Sequence, residues 1–234
     1  MAGVFLQDTA AIVKASSGYT GEKLPEKLPV SIASYIEQFY AFVPAEEVED
    51  IDKESLFAIA MGNLSFISQR NPGEVKIRVY RTSEASGWKS KYTIVEIVND
   101  DMPFLVDSVT EEFNRRELNI ASVIHPVIRV RRDEKGMLQA LLPQETPKGD
   151  GVLQESVMHF QLSDLGDDVA LRDLEESLGK VLSMVRLAVT DWRPMLTHVD
   201  AAIDEISHLW TKNLPSVPGV PSKEDTEEVG EFLR

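Results

Sequence analysis

Asn99, Asp100, Asp101 and Asp107 put four oxygen-bearing side chains within nine residues. Such a donor set can hold a hard cation or an ammonium group. The same residues also have a purely structural use. Asp101 or its neighbour caps a helix that begins near Pro103, and Asp107 lies in the first turn, where the positive end of the helix dipole favours a carboxylate. The spacing lacks the glycine and the closing glutamate of a calcium loop, so helix capping outweighs metal binding and no metal is expected. Read as a small-molecule site, the turn offers Asn99, Asp100 and Asp101 to an ammonium group, with Met102 and Phe104 beside them.

Other reactive side chains are few. His125, His159, His198 and His208 are the only histidines, and none falls in an H-x-H or H-E-x-x-H pattern that would suggest zinc. With no cysteine in the chain, thiol chemistry is absent. A G-x-S-x-G elbow, a phosphate loop and a G-x-G-x-x-G dinucleotide turn are missing as well. No catalytic residue is therefore assigned. Arg129, Arg131 and Arg132, with Lys76 and Arg78, form the one basic concentration. Arg129 and Arg131 share a strand face. They suit a carboxylate of a ligand or partner domain, or they form a solvated face that balances the abundant acids.

The elements that must position these residues follow from periodicity. Ile32, Tyr35, Ile36 and Phe39 give a helix that ends before Pro44, and a second helix runs from Lys53 to Gln69. After Asn71-Pro72-Gly73 the period changes to two. Strands are expected at 75–80 and 92–98, followed by the helix from Pro103 with Glu111–Arg115 and Glu112–Arg116 pairs. A β-branched run, 119–130, is interrupted at His125-Pro126. Hairpin residues 132–136 then lead to strands at 137–142 and 155–162. Two helices follow Asp164. The second carries Trp192, Leu196, Val199, Ile203, Ile206 and Trp210 at alternating steps of four and three, a stripe for a partner or for the protein's own sheet. The pattern is α+β: a mostly antiparallel sheet of about five strands with a βαββ core, helices from both ends, and one helix-covered face.

Composition narrows the function classes. A chain of 234 residues with 43% hydrophobic residues can bury a large core. Its net charge of −15 excludes a nucleic-acid binder. No run reaches the ~18 apolar residues that span a bilayer. No secretory signal is seen, and the absence of cysteine fits a reducing compartment, so a cytoplasmic protein is expected.

The strings 95–109, Asn114-Arg115-Arg116 with Leu118-Asn119-Ile120, and 125–133 resemble the amino-terminal part of the large NAD-specific glutamate dehydrogenases. Phe39-Tyr40-Ala41 with Val43-Pro44, Gly87-Trp88, and Trp192 after Asp191 are weaker matches. The resemblance implies a divergent ACT-type module, the βαββαβ domain that binds amino-acid effectors in metabolic enzymes. It divides the chain into an arm over 1–30, an ACT-like regulatory or assembly domain over 31–212, and an acidic linker over 213–234. It also implies a parent enzyme that interconverts L-glutamate and 2-oxoglutarate with NAD. This stretch itself holds no cofactor. Its partners would be downstream domains and other subunits of a homo-oligomer, met through Trp192–Trp210, Arg129 and Arg131. The alternative is an amino-acid effector at Asn99–Phe104. Effector-binding relatives usually have glycine where Phe104 stands, and its side chain would occupy the ligand's space.

Overall fold

The protein is described from a computed structural model covering residues 9–15, 30–48, 50–83, 86–149 and 151–211. Contacts divide the chain into a unit through Ser183 and a second beginning at Met184.

The first unit opens with α1 (Thr9–Lys14), α2 (Ile32–Phe39), α3 (Ala45–Val48) and α4 (Lys53–Ile67). α2 starts where the Ser31 hydroxyl accepts the Ser34 N–H at 3.4 Å. α4 starts where Asp52 accepts the Ser55 N–H at 2.7 Å, a bond that holds the Asp52 carboxyl below its usual range. Leu56 through Met61, Leu64, Phe66 and Ile67 are all buried. A helix that is apolar on every side belongs inside a core. The short α3 was not foreseen, because four residues carry no readable period.

The sheet contains β1 (Lys76–Arg81), β2 (Thr93–Asp100), β3 (Ile120–Ile124), β4 (Val127–Arg132), β5 (Leu138–Leu142) and β6 (Leu153–Leu162), with every pairing antiparallel. Its order is β1-β2-β6-β4-β5, and β3 also pairs with β6. β3 lies along residues 159–162 of β6 and β4 along 153–156. They form one edge broken at His125-Pro126, so the six strands make a sheet five wide. α5 (Leu105–Arg115) links β2 to β3. Since β2 and β3 both run antiparallel to β6, they are parallel to each other with β6 inserted between them, a split β-α-β unit. The other side of β2 is taken by β1, which comes from upstream in the chain.

Expectation and structure differ on how the sheet is covered. β2 and β6 are buried on both faces, not one. Ile94, Val98 and Val157 pack in the cluster that contains Tyr35, Phe39 and Leu64. On the opposite face Phe160 meets Phe113 of α5 edge to face, with ring centres 5.0 Å apart. α6 (Asp168–Thr211) joins α5 through Arg116–Asp173 at 2.6 Å and Ser177–Glu112 at 2.6 Å. Arg115 pairs with Glu112, three residues back, rather than with Glu111.

Both sheet edges are protected. The Leu138 N–H donates to the Ser68 carbonyl at 2.8 Å, and the Val79 N–H of β1 donates to the Glu175 carboxylate at 3.2 Å. Such cover discourages edge-to-edge aggregation.

Two further corrections concern helix ends. α5 is not capped by Asp101. Its cap position is Phe104, in the left-handed conformation at φ 69° and without a side-chain cap bond. After Asp168 there is one 44-residue helix with Pro194 inside it, not two. The proposed acidic linker, 213–234, and most of the proposed arm lie outside the described residues.

Candidate functional site

Strand alternation separates the residues that the sequence placed together. Asn99 is fully buried opposite Ser156, on the face that carries α5. Its Oδ1 accepts the Asp100 N–H at 2.9 Å. Asp100 lies opposite Glu155 and so points to the other face. There it pairs with Arg70, whose side chain is completely buried. Asp101 is exposed, and its N–H donates to the Gln154 carbonyl at 2.9 Å. Met102 is half-buried, whereas Phe104 is 65% exposed. The ring of Phe104 borders a shallow concavity with Asp107, Ser108, Glu111 and Val181.

Arg70 organises an ion network that sequence reasoning missed. Its Nη1 donates to Glu155 Oε1 at 2.7 Å and its Nε to the Glu74 carbonyl at 2.8 Å. Arg132 closes on the same carboxylate, with Nε to Oε1 at 2.8 Å and Nη2 to Oε2 at 2.7 Å. Arg132 also donates to the carbonyls of Gly136 and Ile67, both at 2.9 Å. Two guanidinium and two carboxylate groups thus balance inside the fold. A Cβ on Gly136 would lie 2.6 Å from the Arg70 carbonyl oxygen, and φ there is +75°, so only glycine fits this turn.

A second polar chain crosses the middle of the same face. Tyr35 Oη donates to Asn63 Oδ1 at 2.7 Å, and Asn63 Nδ2 donates to Glu96 Oε1 at 2.6 Å. Arg78 pairs with Glu96, and His159 Nδ1 lies 3.3 Å from Glu96 Oε1. Burial works to raise the Glu96 pKa, but the contacts with His159, Arg78 and Asn63 outweigh it and hold the carboxyl at about 2. Burial, helped by the Glu96 charge, pushes the Tyr35 hydroxyl well above its usual value. Tyr35, Asn63, Glu96 and His159 are buried and only Arg78 reaches the surface in part, so the chain's chemistry is structural: it fixes α2 and α4 against the sheet.

The basic residues divide as well. Arg131 is exposed, and Arg129 is half-buried directly across from Gln154. Arg129 Nε and Gln154 Oε1 are both buried without a hydrogen-bond partner. Nearby, His125 Nε2 lies 2.8 Å from Ser156 Oγ, and burial lowers the His125 pKa while the Asp101 charge opposes that shift. Among the described residues no group of three His, Asp or Glu is placed to hold a metal ion, and no helix is long and apolar enough to cross a membrane.

The predicted apolar stripe runs along the part of α6 that lies in the second unit. Trp192 is 60% exposed and Leu196 47%, while Val199 and Ile203 are half-buried. Met184, Leu187 and Met195 add exposed apolar surface there. Ile206 and Trp210 are helical, but their side chains lie outside the described residues.

Comparison with known proteins gives one consistent result. Residues 35–178 match the family described as glutamate dehydrogenase, ACT1 domain. The chain is 32% identical over 91% of its length to an NAD-specific glutamate dehydrogenase of Halomonas elongata. It is 33% identical over 74% of its length to one from Pseudomonas aeruginosa. For a Mycobacterium tuberculosis protein of the same name the identity is 31% over 70%. The chain spans 13%, 11% and 10% of these relatives, respectively.

Proposed function

Because the chain belongs to the glutamate dehydrogenase ACT1-domain family, we propose that it is a non-catalytic assembly domain in the amino-terminal region of a large NAD-specific glutamate dehydrogenase. The parent enzyme would be cytoplasmic and would convert L-glutamate and NAD to 2-oxoglutarate, ammonia and NADH at domains outside this stretch. One observation carries the reading: exposed Met184, Leu187, Trp192, Met195 and Leu196 on a helix that runs 28 residues beyond Ser183. Apolar surface of this extent on one element marks an interaction face. The test is the mass of the intact enzyme by light scattering, with and without Trp192→Ser and Leu196→Asp together. Assembly through this face predicts a smaller particle for the variant; an unchanged mass argues against it.

A second reading is favoured by Arg129 and Gln154. An amino-acid zwitterion offers a carboxylate to the Arg129 Nε donor and an ammonium group to the Gln154 Oε1 acceptor, with Asp101 adjacent in charge. The expected Asn99–Phe104 site would then shift toward β4 and β6, keeping Asn99, Asp101 and Met102 at its border. A thermal-shift screen of the chain against the twenty amino acids tests this. Ligand at 100 times its dissociation constant adds ~2.7 kcal/mol. A selective shift lost in Arg129→Ala supports a sensor, and a flat screen removes it.

A further inference from the structure

Phe104 is unfavourable twice over in this fold. Its backbone is left-handed, at φ 69°, a conformation that costs free energy for any residue with a side chain. Its ring is also 65% exposed, so burial offsets little of that cost. Strain of this kind is kept where it serves a site. The ring lines the concavity between α5 and α6, together with Val181 of α6. All of the lining belongs to the first unit. At about 550 Å³ the concavity is broad and shallow. That shape suits a segment of protein chain better than a small molecule, most of whose surface a pocket encloses.

The rim carries uncompensated charge of one sign. Arg115 borders it, but its guanidinium is held by Glu112, with Nε and Nη2 each 2.8 Å from a carboxylate oxygen. Glu112 is shared in turn with Arg116 and Ser177, both at 2.6 Å. Asp107 and Glu111 are exposed at the same rim, and among the described residues neither enters an ion pair. Like charges four residues apart on a helix repel. The positive end of α5 offsets Asp107, but that effect fades after the first turn, and Glu111 lies beyond it.

We propose that the Phe104 concavity docks a cationic, apolar segment from another domain of the parent enzyme. An apolar side chain of that segment lies against Phe104 and Val181, and an adjacent arginine reaches Asp107 and Glu111. The proposal rests on the assembly reading above but uses a different surface from α6 beyond Ser183, so either can fail alone. Charge and shape select this occupant. Carboxylates beside an exposed aromatic ring match a guanidinium, which pairs with the acids through its planar N–H edge and stacks on the ring through its face. The chain spans 13% of the Halomonas elongata relative, and a parent of that kind has ample further chain to supply the segment.

Photo-cross-linking in the intact enzyme tests the pairing. Replacing Phe104 by p-benzoylphenylalanine keeps an aromatic ring in the concavity, and mass spectrometry identifies the peptide it captures. The expected product joins position 104 to one peptide from outside residues 1–234, with an arginine or lysine next to an apolar residue. Asp107→Lys with Glu111→Lys should lower the yield at least ~fivefold, and changing the partner's basic residue to Glu should restore it. That rescue also shows that the charge variant still folds. A product within residues 1–234, a yield that the charge reversal leaves unchanged, or a loss that the compensating change does not rescue overturns the proposal. Absence of any product overturns it too. If the particle mass still falls with Trp192→Ser and Leu196→Asp, the assembly reading survives that failure; if it does not, both fall.

Discussion

At the turn that ends β2, charged side chains are turned into the fold, whereas along α6 beyond Ser183, apolar side chains face solvent. Asp100, Arg70, Arg132 and Glu155 satisfy one another and three backbone carbonyls. Trp192 and Met195 are each about three-fifths exposed. A cluster of acids therefore indicates a binding site poorly when its counter-charges come from the same chain. An apolar stripe brings no such counter-charges, and on α6 Trp192 and Leu196 stand exposed.

The contrast is sharpened most by removing Arg70. Arg70→Ala leaves Glu155 buried with one partner fewer and removes the Arg70–Asp100 ion pair. Breaking a buried pair in this way costs ~3–5 kcal/mol. Urea unfolding should show that loss; a change below ~1 kcal/mol would mean that the network contributes little to stability.

Acid should weaken the second buried chain. In the folded protein the Glu96 carboxyl is held at about 2, against an ordinary value of 4.5. A carboxyl depressed on folding stabilises above its unfolded value, and this contribution is lost as pH falls from about 4.5 through about 2. At ~1.4 kcal/mol per unit, the shift corresponds to about 3 kcal/mol. Glu112, also held at about 2, titrates in the same window. The Glu96→Gln variant should accordingly lose part, not all, of the slope in stability between those pH values. An unaltered slope would show that Glu96 carries no charge-dependent stability.

Phe104 tests the boundary between the two regimes, being exposed yet strained. The left-handed conformation costs a non-glycine residue ~1–2 kcal/mol. Glycine removes that cost but adds ~0.5–1 kcal/mol of chain entropy in the unfolded state. Phe104→Gly should therefore raise stability by about 0.5 kcal/mol in urea. A loss above 1 kcal/mol would show that the ring packs on something essential.

Much of the central sheet was legible from residues. The β-branched run interrupted at His125-Pro126 became β3 and β4 along one edge of β6, and the hairpin at 132–136 became the β4–β5 turn. Burial of both faces was missed because Glu96 and Asn99 interrupt β2. Yet Ile94-Val95 and Ile97-Val98 already supply apolar residues to both faces, a signal that one could have used. The single long α6 was missed because a proline removes a helix hydrogen bond and usually marks a break. Arg70 had no local signal at all. Its carboxylate partners lie 30 and 85 residues away, and only the fold brings them together.

The central claim, that the far half of α6 is covered in the working protein, is tested most directly by hydrogen exchange over residues 184–211 of the intact enzyme. A docked helix should be protected there, and Leu196→Asp should make it exchange fast while the first unit keeps its urea midpoint within ~0.5 kcal/mol. Rapid exchange in the unaltered protein, no different from the variant, would contradict the account.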